Sequence, residues 1–159
     1  MKKILISILA TTALFSSGYS QKFISQTIEH DGLTREYSIY VPASYDGTTS
    51  FPLLFNLHGG GGTNSDWQAA SDMRSIADTA DFILAYPQAR PDPSDGNSFN
   101  WIPKAPGTFD DVPFFSSLID TIASNYQIDQ HRIYACGYSL GGDMAFELGC
   151  KLNNRIAAI

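Results

Sequence analysis

Apolar and polar positions change rhythm several times along the chain. Phe23 to His30 and Thr34 to Val41 alternate between apolar and polar residues, with Asp31-Gly32 between them. Two alternating runs around an Asp-Gly pair predict an antiparallel hairpin with a tight turn. After a loop over Pro42 to Ser50 comes Phe51 to Leu57, a nearly continuous apolar run, as in a strand covered on both faces. It empties into His58 and the four glycines Gly59 to Gly62. A helix is expected next, capped by Ser65 or Ser71 and running to about Thr79. Phe82 to Tyr86 reads as a second buried strand, ended by Pro87. Residues 88 to 109, broken by Pro91, Pro93, Pro103 and Pro106, form a long irregular excursion. It retains Phe99, Trp101 and Phe109, an aromatic content unlike that of a disordered linker, and long ordered loops are usually functional.

From Val112 to Asn125 the apolar residues Phe114, Phe115, Leu118, Ile119 and Ile122 fall at helical spacing. Arg132 to Gly137 is a third strand, Leu140 to Leu152 a helix, and a further strand starts at about Ala157. Strands and helices alternating after an antiparallel lead-in imply an α/β fold with a doubly wound, mostly parallel sheet.

The first twenty residues stand apart from this pattern. Lys2 and Lys3 precede the apolar stretch Ile4 to Phe15, and Gly18-Tyr19-Ser20 supplies small residues for a peptidase. Residues 1–20 are therefore expected to be a secretory signal cleaved after Ser20, with 21–159 forming one domain. The stretch is too short for a membrane anchor, which needs about 20 apolar residues. Without Lys2 and Lys3, eight basic residues face sixteen acidic ones, a net charge near −8. That surface disfavours nucleic acid and anionic membranes as partners, because phosphate binding needs clustered Lys and Arg. Cys136 and Cys150 are the only cysteines. The first is expected to be buried in its strand, and the second is free to pair with a cysteine elsewhere.

Gly137-Tyr138-Ser139-Leu140-Gly141 has the Gly-x-Ser-x-Gly spacing of a nucleophile elbow. The pentapeptide alone is weak, but here it joins a strand to a helix, as the motif requires. The elbow glycines Gly137 and Gly141 let strand and helix pass close together, and the helix N-terminus favours a developing oxyanion near Ser139. The glycine loop after His58 can bring backbone N–H groups to a substrate carbonyl. Gly60, then Gly61, is expected to join Leu140 in an oxyanion hole. No Lys-Ser/Thr pair follows these glycines, so a phosphate loop is excluded. His58 is read as a brace for the loop rather than a base. Asp110 and Asp111 are read as caps of the following helix. His30 and His131 lie in polar turns away from the elbow. Trp101 either stacks on a substrate ring or packs its loop onto the domain.

With these residues in place, the chain resembles the secreted polyhydroxybutyrate-depolymerase-like and feruloyl-esterase-like branch of the α/β-hydrolases. The likeness runs through residues 31–42 (Asp31 to Pro42), 57–62, Ala85-Tyr86-Pro87, 110–114 and 132–142 (Arg132 to Gly142), in the right order. The resemblance implies hydrolysis of carboxylic esters by Ser139 through an acyl-enzyme, with no metal or organic cofactor. It implies polymeric or oligomeric ester substrates, either polyester or plant polysaccharide carrying hydroxycinnamoyl or acetyl groups. In this fold the acid and the His follow the serine in chain order. Asp143 and Glu147 sit on the helix after Ser139 in no triad geometry, so both partners are expected beyond residue 159 and this piece is expected to be inactive. A peptidase of related fold shares the elbow, whereas a non-catalytic polymer-binding relative would be expected to have a damaged elbow or glycine loop.

Overall fold

The computed structural model of the chain describes residues 23–159. The expected signal sequence, residues 1–20, lies outside them. Strand β1 (Ile24–His30) and strand β2 (Leu33–Tyr40) form the hairpin anticipated from Asp31-Gly32. Both turn residues have positive φ, 51° and 70°, as a two-residue turn matched to strand twist requires. Strand β3 (Phe51–Leu57), β4 (Ile83–Pro87) and β7 (Ile128–Gly137) complete a five-stranded sheet in the order β1-β2-β4-β3-β7. The pairs β3·β4 and β3·β7 are parallel, while β2 runs antiparallel to β4.

Alternate residues of the central strands feed two separate cores. Leu53, Phe55, Leu57, Ile83, Ala85, Ile133 and Ala135 face helix α3 (Val112–Asn125) and helix α4 (Leu140–Lys151). On the other face Leu84 and Tyr86 pack with Tyr40 and Ala77. That face is covered by the short helices α1 (Asn64–Ala70) and α2 (Arg74–Ala80). Helices on both faces of a mostly parallel sheet explain why β3 and β4 are apolar almost throughout.

Five expectations about the fold need correction. The helix expected to run to Thr79 is broken at residues 71–73, and neither Ser65 nor Ser71 caps its start. Thr63 is the N-cap of α1, its side chain accepting from the Asp66 N–H, and Ser71 is the C-cap. The break follows from a polar residue in the sheet. The buried Asn56 amide donates to the Ser71 hydroxyl at 3.1 Å and accepts from Trp67 Nε1 at 2.8 Å, so the chain leaves the helix to satisfy it. The third strand begins at Ile128, four residues early, across a register shift opposite Phe51–Leu53. Within residues 88–109, β5 (Arg90–Asp92) and β6 (Ser98–Asn100) form a small hairpin. Cys136 is half-buried rather than buried, and Cys150 is exposed; both are free thiols.

The last correction concerns Asp111. It occupies the N-cap position of α3 but makes no capping bond, whereas Asp110 accepts from the Val112 N–H at 2.9 Å. The Asp111 carboxylate instead meets Arg35 at 2.7 Å, with both side chains nearly sealed from solvent. Arg35 also donates to the Gln88 carbonyl and lies 3.8 Å over the Phe114 ring. A buried cation needs such an anionic partner, and among the described residues only Asp111 is within ion-pair distance. After α4, Ala158 bridges to Tyr134 in parallel, as a following strand should. No helix among the described residues is long and apolar enough to cross a membrane.

Candidate active site

The carboxyl ends of β3, β4 and β7 lie side by side, and the loops leaving them build the site. Between β7 and α4, Ser139 adopts φ 51° and ψ −125°, a conformation few non-glycine residues enter. Its side chain is exposed and makes no hydrogen bond among the described residues. The elbow glycines are demanded by close approach. A Cβ at Gly137 would sit 2.4 Å from the Gly141 carbonyl, and one at Gly141 would sit 2.4 Å from the Leu57 oxygen. Both distances are far inside van der Waals contact, so strand, turn and helix cannot be this close with any side chain there.

The glycine loop faces the elbow. A Cβ on Gly59 would lie 3.5 Å from that of Ser139, and one on Gly60 would lie 3.2 Å from a Leu140 methyl group. The N–H groups of Gly60 and Leu140 have no hydrogen-bond partner among the described residues. Gly61 does not fit its expected role. Its N–H is taken by the Phe99 carbonyl at 2.8 Å, which leaves no donor for an oxyanion.

Behind the loop, His58 is a brace, as expected. Its Nε2 accepts from the Ala89 N–H at 3.1 Å. The proton therefore resides on Nδ1, which donates to the Gly59 carbonyl at 2.7 Å. Burial holds the imidazole below its ordinary pKa, opposed only in part by the bond to Gly59. With both nitrogens committed and the ring 1% exposed, His58 is not available as a base for Ser139. His30 ends β1 and His131 lies near the start of β7, neither beside the elbow.

Of the two roles open to Trp101, the structure favours packing of its loop over substrate stacking. The indole is 1% exposed, so it presents no face to a substrate. Its Nε1 donates to the His58 carbonyl at 2.8 Å and its ring lies 5.0 Å from the His58 ring. Sequence reasoning missed the neighbours that complete this clamp. Asn100 approaches the Gly60 position through its Oδ1 and gives its amide N–H groups to Asp92 and Asp95. The Gln88 amide reaches His58 and Gly62 on one side and accepts from the Asn64 N–H on the other. No periodicity marks these residues. The only hint was the aromatic content of a loop otherwise rich in polar residues, Pro and Gly.

An exposed serine on a strained strand-to-helix turn, with unpaired amides at Leu140 beside it and at Gly60 in a clamped glycine loop, has the geometry of an α/β-hydrolase elbow. Residues 37–157 match the family BD-FAE. The chain belongs to the BD-FAE family. Among curated relatives of this BD-FAE chain, feruloyl esterase B of Piromyces equi is 34% identical over 78% of the chain and 23% of the relative. The bifunctional acetylxylan esterase/xylanase XynS20E of Neocallimastix patriciarum is 29% identical over 86% of the chain and 19% of the relative. A ferulic acid esterase structure superimposes with a TM-score of 0.68 at 20% identity, covering 85% of this chain and 57% of that one. The fold is thus that of an α/β-hydrolase, in its feruloyl-esterase-like branch. The BD-FAE chain spans about a quarter or less of those two curated relatives and just over half of the solved one.

Proposed function

We propose that Ser139 is the nucleophile of a carboxylic-ester hydrolase acting on hydroxycinnamoyl or acetyl esters of plant polysaccharide. The observation that carries this reading is the pairing of the exposed Ser139 hydroxyl with the unpaired N–H groups of Gly60 and Leu140. Ser139 attacks the ester carbonyl, its proton passes to a His, and the two amides hold the tetrahedral oxyanion. Collapse expels the alcohol and leaves an acyl-enzyme, which water then hydrolyses. The names of the relatives support the feruloyl and acetylxylan arm over the polyester arm that the sequence resemblance also implied. Export from the cell rests on residues 1–20 alone.

The reading requires a His and a carboxylate that the described residues do not supply. His58 is committed to its loop, Asp111 to Arg35, and Glu147 to Lys151 at 2.9 Å. A protein that continues past residue 159 into such an acid and His should release ferulate or acetate from esterified xylo-oligosaccharides. Ser139→Ala should lower that release by about 10⁶-fold, to the small residual rate that binding and the oxyanion amides give over water. Cleavage of peptide anilides in place of esters would select the peptidase reading. Residues 21–159 alone should show no turnover that depends on Ser139, and finding such turnover would refute the requirement for a missing His.

A further inference from the structure

Seven cations lie among the described residues of this acidic chain, and six have a carboxylate within 4 Å. Arg35, Arg74, Lys104, Arg132, Lys151 and Arg155 meet Asp111, Asp72, Asp95, Asp129, Glu147 and Asp120 respectively. Arg90 alone has none. It is half-buried, its guanidinium carbon lies 4.7 Å over the Phe109 ring, and its Nε is sealed without a hydrogen-bond partner. It also feels Arg35 as a repelling neighbour and Asp111 as an attracting one. Asp111 is ion-paired to Arg35, with Asp31 and Asp110 as further acidic neighbours of that pair, so Arg90 is left with no carboxylate in contact with it. Leaving a half-buried cation unpaired is costly in a protein with carboxylates to spare.

Arg90 lines a cavity of about 460 Å³ at the carboxyl end of β4. Its wall includes Thr63 and Asn64, which follow the glycine loop, and Phe99, whose carbonyl holds Gly61. Leu33, Pro91 and Phe99 give it an apolar side. Glu36, exposed and without an ion pair among the described residues, also lines it. The volume suits a small ring-sized ligand.

We propose that this cavity is a carboxylate-binding subsite in which Arg90 receives the anion and Leu33, Pro91 and Phe99 cover the ring that bears it. Nε is sealed, so the Nη groups, which make no hydrogen bond among the described residues, are the donors, and a guanidinium matches a carboxylate in charge and geometry. Glu36 opposes the bound charge and sets an upper limit on affinity. Under the ester-hydrolase reading two compounds carry such a group near the site: an acidic sugar unit of the polysaccharide, or the aromatic acid freed by hydrolysis.

The test is a titration of the full chain with glucuronate, ferulate and the methyl ester of each, followed by amide chemical shifts and calorimetry. One of the acids should bind at this cavity, and its methyl ester should bind roughly tenfold or more weakly, as loss of a charge-assisted bond implies. Arg90→Gln should weaken the acid to the level of its ester. Glu36→Gln, at an exposed position, should tighten it, a gain that misfolding cannot imitate. Glucuronate binding marks a substrate subsite and ferulate binding a product site. Equal binding of acid and ester, no effect of Arg90→Gln, or no binding of either acid would overturn the proposal. Binding in Ser139→Ala should match the unaltered chain, so the outcome does not depend on whether Ser139 is the nucleophile.

Discussion

At φ 51° and ψ −125°, the Ser139 backbone carries strain that glycine would largely escape. Ser139→Gly should therefore raise stability by about 1 kcal/mol, and Ser139→Ala should leave it nearly unchanged. Thermal unfolding of the two variants would show the difference, and equal melting points would mean the turn is not strained. The flanking glycines behave in the opposite way. At Gly141 an added methyl group meets backbone oxygens of Leu57 and His58 at 2.4 and 2.5 Å, and backbone has no rotamer to offer in relief. Gly141→Ala should cost roughly 3 kcal/mol in denaturant midpoint measurements. Both positions were legible in the sequence because a five-residue motif encodes them locally. The choice between Gly60 and Gly61 was not. It depends on the Phe99 carbonyl, 38 positions further along, which takes one amide and leaves the other.

Among the elements, the hairpin and the central strands were readable because alternation and continuous apolarity report directly on how many faces are covered. Helix α1 was misread because Asn56, a single polar residue in a buried strand, ends it from outside. Asp111 was misread for a similar reason. A carboxylate before a helix is a cap by default, and here Arg35 on β2 outbids the helix dipole across 76 residues. That pair ties the edge hairpin to α3. Asp111→Leu alone should destabilise by about 3 to 5 kcal/mol, because it strands a buried guanidinium. Combining it with Arg35→Met should recover much of the loss. A double-mutant cycle in urea checks this, and additive losses would show that the two groups do not depend on each other.

For the whole molecule, the doubly wound α/β arrangement followed from the order of strand and helix patterns. The placing of β4 between β2 and β3 did not, since pairing partners leave no local trace. The same separation hid the clamp of Trp101 on His58, 43 residues apart. Global stability should depend on pH through this clamp. His58 is held neutral below its ordinary pKa, so the unfolded chain takes up the proton first as pH falls. Stability should be level above about pH 6.5 and decline below it. His58→Asn should start lower and lose that part of the slope. Urea midpoints between pH 7.5 and 5 would measure both, and an unchanged slope in the variant would assign the decline to carboxylates instead.

Strand β7 is the last strand of the sheet, met on its outer side among the described residues only by a bridge from Ala158 to Tyr134, and it leads into Ser139. Near that margin Tyr138 and Phe146 are each more than 60% exposed, and Ile159 is 58% exposed. Whatever segment extends the ladder there must run alongside the strand that presents the hydroxyl. If Ser139 is the nucleophile proposed above, a strand docking on that border would be felt in chemistry as well as in stability, because the element it grips is the one that holds the hydroxyl in place.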